Sequence, residues 1–539
     1  MSFDDESPWP RRLLHIPSMT SHVWSPGDKY GGKSKPRYVA VSYTWGRWQI
    51  SDDINPGLQA IPIHGVDWKV PRVRSDHFSP LELEHVIKTI PTLVMKYTMC
   101  AEVEYLWLDI ACINQTNDSP EKFAEIGRQA KIFKGAAEVF IWMTSYNYPD
   151  ISNIGRQFEK TLVYLFESDQ EDTYEAKCFA ETVDFITKDP WFSSLWTLQE
   201  AFLRQDAILL TRDAYPWHDL ESQETPVRLK DLVGIFETIH SVHLDPSYSW
   251  GVGKQFDING SLERSGIIGL LLQVPTVLLA VAQQRQVGEK NIHDRVYGIM
   301  QVFGFRLGKC RPGVSLSRVF SISDLEDELG QELLAKYPLI SQLFIHKKAP
   351  EPGKAWRIGK NSHLAARLPS GLYISIRLQL DKSDKLLHRS KLTCAVSRTN
   401  SLFGQFDGPT CNLSVLNEVW VRTTGCTPET VFVDLDYRPL QPSCPTPVEA
   451  PLLLTSVAVE HPAAIILFLG DIQDSLGYFY YTGLILVPAA LDAMGNSSQH
   501  WYRLGVCCWR TVYYEFMDSD LALLTGQCSE WKSLVGTYG

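Results

Sequence analysis

Between residues 37 and 212, short runs of β-branched and aromatic residues alternate with amphipathic stretches, and this alternation restricts the fold more than any other feature. A chain that repeats strand, helix, strand in this way covers its strands with helices and builds an α/β unit around a largely parallel sheet. The expected strands are "RYVAVSY", "EYLWLDIACI", "AEVFIWM" and "AILLT". "LELEHVIKTIPTLVMKY" sets Leu83, Val86, Ile87, Ile90, Val94 and Tyr97 on one stripe, which predicts a helix despite Pro91. In "EKFAEIGRQAKIFKGA", Phe123, Ile126, Ala130 and Phe133 recur at spacings of three and four, the mark of one helix face. The stretch between Arg47 and Pro80 is a long insertion punctuated by Pro and Gly, of a kind that carries or covers a site.

At 539 residues the chain exceeds a single core. We expect an N-terminal extension over 1–36, the α/β domain over 37–212, a mainly helical extension over 213–340 and a β-rich domain over 341–539. The last rests on closely spaced runs such as "LYISIRLQL", "EVWVRTT", "TVFVDLDY", "AAIILFLG", "GYFYYTGLILV" and "TVYYEF", separated by turn residues, which read as strands of a sandwich or barrel. The most apolar stretch, "IIGLLLQVPTVLLAVA" at 267 to 282, is shorter than a bilayer requires and carries Gln273 and Pro275, so it reads as a buried helix, and no membrane span is expected.

A formal net charge of −11 argues against nucleic acid as the main partner, because neutralising a phosphate backbone needs clustered Lys and Arg. The 11 cysteines are scattered without repeated CxxC or Cys/His spacing, so neither a disulfide framework nor a metal site is expected. The N-terminus lacks the apolar core of a secretory signal, and a cytoplasmic location is the expectation.

Three short motifs gather the residue types that do chemistry. The first strand runs into "SYTWG", with Ser42, Tyr43, Trp45 and Gly46 at its carboxyl end, the edge where parallel sheets bind ligands. The second runs into "DIACINQTND", which supplies Asp109, Cys112, Asn114 and Gln115. The third, "WFSSLWTLQEAFL", sets Trp196 and Glu200 one helical turn apart, with Gln199 between them. If these converge, the indoles can stack on an adenine or nicotinamide ring while amides and hydroxyls orient a ribose. Each also has a structural reading: Glu200 complementing a helix dipole, Asp109 capping a turn, the tryptophans filling core, Cys112 a buried inert thiol. "SWGVGKQF" is not a phosphate loop, since Gln255 stands where Ser or Thr must hold magnesium, and no GxSxG or HExxH motif occurs.

The same three motifs resemble the heterokaryon incompatibility (HET) domain family of filamentous fungi. "YVAVSYTWG" is similar to its opening motif, "YLWLDIACINQTNDSPEK" through "IFKGAAEVFIW" to its central one and "DPWFSSLWTLQEA" to its closing one, over roughly 38 to 202; "HDRVYGIM" resembles a segment that often follows. Ser194 stands where the family usually has Arg, Phe133 where Tyr is common, and Met143-Thr144 where Leu-Gly is usual. The resemblance implies a role in allorecognition and programmed cell death, with a protein partner and self-association. It also implies a distant likeness to Toll/interleukin-1 receptor (TIR) domains, whose fold is flavodoxin-like and some of which cleave NAD. Their functional glutamate follows a Trp-Cys-x-x-Glu spacing, and "WTLQE" puts Glu200 in its place as the catalytic residue, with NAD as substrate and no resident cofactor. The alternative is a non-enzymatic, self-associating signalling module in which the same residues serve the fold.

Overall fold

The computed structural model describes residues 7–51, 59–98, 102–116, 119–152, 173–218, 225–244, 261–262, 265–287, 291–365, 367–380, 387–396, 402–423, 431–436, 449–474, 476–489, 500–511 and 518–539. These fall into two compact units: 1–271 with 285–321, and 272–284 with 322–539. The stretch around Lys254 and most of "TVYYEF" lie outside the described residues.

The first unit is built on a six-stranded sheet. Its strands are β1 (Arg12–His15), β2 (Thr20–Val23), β3 (Tyr38–Ser42), β4 (Tyr105–Trp107), β5 (Val139–Trp142) and β6 (Ile208–Leu210), in spatial order β6-β5-β3-β4-β1-β2. β6, β5, β3 and β4 are mutually parallel, while β1 and β2 add an antiparallel edge. The residues expected to be an N-terminal extension thus continue the sheet, with Leu14 opposite Leu106. Numbered by chain order, the parallel strands lie 2-1-3-4, so strand order reverses between β3 and β5. All five residues of β3 are buried, as a central strand covered on both faces requires.

Helix α1 (Pro80–Tyr97) forms where expected and buries Leu83, Val86, Ile87, Ile90, Leu93 and Val94. Ser79 and Glu82 close a reciprocal capping box at its start, a device that contributes about 1 kcal/mol. The second strand ends sooner than the sequence suggests: Leu108 is extended and the chain then turns into α2 (Asp109–Cys112). The expected single helix over 121–136 is two, α3 (Pro120–Ile126) and α4 (Gln129–Gly135). The break at Gly127 lets Arg128, fully buried, hydrogen-bond the Ser7 carbonyl and pair with Glu125 at 3.5 Å. The apolar stretch at 267–282 also divides, into Ile267–Leu272 and Pro275–Ala282. Gln273 takes a positive φ of 50° and Val274 is extended, because a residue before proline is excluded from helical geometry. No helix among the described residues is long and apolar enough to cross a membrane.

The second unit carries an eight-stranded sheet with helices. Ile465–Gln473 pairs with Phe479–Pro488, that strand with His500–Thr511, that with Lys532–Tyr538, that with Leu402–Asn412, which pairs back to the first. The pairings close a five-membered ring with Phe406, Leu467, Leu484, Val506 and Tyr538 in one buried cluster. Two expected strands are helices: "LYISIRLQL" lies in Ser370–Leu380, and the described part of "EVWVRTT", 418–423, in Leu413–Thr423. The second buries Leu416, Val419 and Trp420, at spacings of three and one that a helix, and not a strand, places together.

Candidate functional site

The carboxyl end of β3 is where the first and third motifs meet. Ser42, 1% exposed, donates its hydroxyl hydrogen to Glu200 Oε2 at 2.5 Å and accepts from the Trp191 indole at 2.8 Å. Glu200 lies on α6 (Leu195–Leu203), which follows the short α5 (Pro190–Ser193). Asp189 fixes this corner: its carboxylate caps α5 through the Trp191 amide at 2.8 Å and accepts the Ser145 amide, just beyond β5, at 3.0 Å. "DPW" is thus an N-cap, a proline in the first helical turn and the indole that orients Ser42. Cap and proline were readable as a helix start; the indole's reach to Ser42 was not.

The second motif joins them. Asp109 accepts the Trp45 indole hydrogen at 2.6 Å and its own helix's Ile110 amide at 2.7 Å, and the Tyr43 hydroxyl lies beside it. Burial pushes the carboxyl of Asp109 upward, opposed by these hydrogen bonds. Burial likewise pushes Glu200 well above the ordinary carboxylate range; Ser42 opposes the shift and the charge of Asp109 adds to it. Both residues nevertheless keep part of their surface open to solvent. A negative charge on Asp109 thus makes Glu200 harder to ionise. Tyr43 is held neutral by burial and by Asp109.

Other expected site residues are elsewhere. Gln199 is fully buried, donating to Gln129 Oε1 at 2.9 Å and accepting the Gln301 amide at 3.1 Å, so it ties α6 to its neighbours. The Trp196 indole donates to Asp294 at 3.0 Å, within the "HDRVYGIM" segment, and not toward the crevice. Cys112 is buried with its sulfur toward the Leu106 carbonyl at 3.8 Å, and burial pushes the thiol up to about 12, which excludes it as a thiolate nucleophile. Gln115 folds back on the Asp109 and Ile113 carbonyls at 3.1 and 2.8 Å, and Asn114 accepts the Thr116 amide at 2.9 Å; both shape the loop. Gly46 opens a short 3-10 turn over Gly46–Trp48.

The insertion before α1 contributes a residue that the motifs did not indicate. His77 donates through Nε2 to the Thr44 carbonyl at 2.6 Å, lies 3.4 Å from Thr144 Oγ1 and stacks on Trp48 with ring centroids 3.7 Å apart. It therefore sits between the carboxyl ends of β3 and β5, where the strand order reverses. Burial pushes it down to about 4, so it is neutral at physiological pH.

Comparison with known proteins agrees with the motifs. Residues 38–200 match the family model described as heterokaryon incompatibility protein (HET). The chain is also 24% identical over 187 residues to heterokaryon incompatibility protein 6, OR allele, of Neurospora crassa. That alignment covers 33% of this chain and 23% of the relative, so the shared part is a domain's length and well under two thirds of that protein. No solved structure matches.

Proposed function

We propose that this protein acts in fungal heterokaryon incompatibility, and that its α/β unit does so by cleaving the nicotinamide–ribose bond of NAD in the crevice of Glu200 and Asp109. The HET match and the name of the Neurospora relative support the biological role. In this reading the cleavage triggers cell death in the cytoplasm when incompatible protein partners meet, and self-association switches it on. The 2-1-3-4 order of the parallel strands is the order of the flavodoxin-like sheet, and ligands of such sheets sit where the order reverses.

The observation that carries the chemistry is the clamp on Glu200: Ser42, itself held by Trp191, fixes one carboxylate oxygen at the carboxyl end of β3. Nicotinamide leaves as a neutral molecule from a cationic ring, so no general acid is needed; the demand is for negative charge beside the ribosyl cation that forms as the bond breaks. That cation is then taken by water, which gives up a proton to solvent and leaves ADP-ribose, or by a hydroxyl or ring nitrogen of the substrate. A carboxylate already oriented supplies that charge without reorganisation. The cationic ring favours the ionised form of a carboxyl group held above its ordinary range, so substrate binding itself readies Glu200. Asp109, bonded by Trp45, adds a second negative group and orients the indole against which a planar ring can stack.

The test is nicotinamide release by the purified full-length protein, wild type against Glu200→Gln and Asp109→Asn. Release that survives both substitutions sinks the assignment. A second reading, a self-associating module without catalysis, is favoured by Gln199 and Trp196, which serve the scaffold. It predicts no release from the wild type and self-association that is indifferent to Glu200.

A further inference from the structure

Two arginines meet at the start of α6 without an acidic partner. Arg285 is 5% exposed, and its guanidinium donates to the Ser194 carbonyl at 3.0 Å and to the Ser265 carbonyl, while its Nε is buried with no hydrogen-bond partner. Arg47, five residues beyond Ser42, donates to Gln286 Oε1 at 2.7 Å, to the Pro190 carbonyl at 3.0 Å and to Ser193 Oγ at 2.9 Å. Among the described residues neither forms an ion pair. The carboxylate whose charge reaches Arg47 is Asp189, already engaged by the Ser145 and Trp191 amides; what reaches Arg285 is the positive charge of Arg47. Burial and that like charge push Arg285 down to about 9.

A buried cation bonded to neutral carbonyls and facing a second cation is costly, because neither partner replaces the lost hydration with opposite charge. Fold stability alone does not call for this arrangement, since an apolar side chain of similar volume fills such a space at lower cost. The backbone adds to the imbalance. α6 begins at Ser194 with no side-chain cap, so the positive end of its dipole opens on the same corner. Two guanidinium groups with unused N–H donors beside an uncapped helix start form an arrangement that binds phosphate oxygens.

We propose that Arg47, Arg285 and the first turn of α6 form a binding site for a phosphate-bearing anion, either the diphosphate of a dinucleotide or inorganic phosphate and pyrophosphate. The site stands on its own geometry; only the dinucleotide as its occupant rests on the NAD-cleaving reading. α5 connects it to the crevice: Arg47 holds Pro190 and Ser193, while Trp191 between them holds Ser42 and thereby Glu200. An anion seated here therefore bears on the same short helix that, through Trp191 and Ser42, positions Glu200.

The test is thermal unfolding of the full-length protein titrated with inorganic pyrophosphate and, separately, with ADP-ribose, against sodium chloride at matched ionic strength. Pyrophosphate should raise the melting temperature of the wild type and of Glu200→Gln alike, saturably, as a ligand of the native state does. Arg47→Gln, at an exposed residue, should weaken this by about tenfold in apparent affinity, the loss of one charge-assisted contact. Arg285→Met should abolish it while leaving the unliganded protein as stable as the wild type or more so, since it removes an uncompensated charge. ADP-ribose binding about tenfold tighter than pyrophosphate identifies the dinucleotide as occupant; equal binding identifies free phosphate. No shift beyond the chloride control, or one unchanged in both arginine variants, overturns the site. A pyrophosphate shift without nicotinamide release keeps the site and removes the catalytic reading.

Discussion

Ser42 Oγ and Glu200 Oε2 lie 2.5 Å apart across 158 residues of sequence, the length expected of a hydroxyl bonded to a carboxylate. Glu200→Gln keeps an oxygen for Ser42 and nearly the same shape. It should therefore fold normally and lower nicotinamide release by at least about a hundredfold, because the developing cation alone demands the charge. Chromatographic measurement of released nicotinamide checks this, and an unchanged rate removes Glu200 from the chemistry.

The same pair makes stability depend on pH. Glu200 holds its proton more tightly in the folded chain than at its ordinary value of 4.5, so the native state binds more protons than the unfolded one above that pH. Its contribution is fully present below 4.5 and is lost as pH rises through the elevated folded value. Relative to Glu200→Gln, the wild type should lose stability across that window. Urea midpoints of both proteins from pH 4 upward measure the difference; parallel curves refute the raised carboxyl.

Cys112 should resist alkylation. At pH 8 a thiol pushed up to about 12 is ionised to roughly one part in ten thousand, and its sulfur is enclosed besides. Mass spectrometry after iodoacetamide treatment should find it unmodified in native protein and labelled in urea. Native labelling at the denatured rate contradicts its placement.

Gln199→Leu should destabilise the first unit by about 2 to 4 kcal/mol, since Gln129 Oε1 and the Gln301 amide both lose a buried partner. The same bonds predict that a chain ending at 212, which retains all three motifs but lacks Asp294 and Gln301, is less soluble than one continuing to 321. Chemical denaturation and sedimentation of the expressed fragments check the two halves. Equal solubility of the fragments means that the later segment is dispensable.

The parallel sheet was legible because each strand lies in a short apolar run, mostly of β-branched, aromatic and leucine residues, set apart from the amphipathic stretches between them. So was the approach of the first two motifs, since the carboxyl ends of parallel neighbours in one sheet share an edge; the third lies on helices, and its arrival at that edge was only a conjecture. What escaped was direction. Gln199 and Trp196 neighbour Glu200 on α6, and periodicity alone does not reveal that partners at Gln129, Gln301 and Asp294 draw them away from it. His77 and Trp191 escaped because their roles come from contacts spanning 33 and 149 residues, in segments without repeating pattern. "EVWVRTT" was misread because β-branched residues dominate its composition, and "LYISIRLQL" because apolar and polar residues alternate from Ile374 to Leu380; packing decided otherwise.

The interleaving of the two units, in which residues 272–284 pack with a body that otherwise starts at 322, bears on how such a chain is made and how its gene is altered. On the ribosome the first unit has all its parts only after residue 321 has emerged, and the ring of the second waits for Lys532–Tyr538. Throughout that interval the Pro275–Ala282 helix is synthesised yet has no body to join, an apolar segment that the nascent protein must keep from premature association. For the gene, one crossover anywhere between 272 and 321 divides a unit that folding needs whole. Recombination that moves the motif-bearing unit into another protein must therefore carry both of its segments and replace or retain the helix between them.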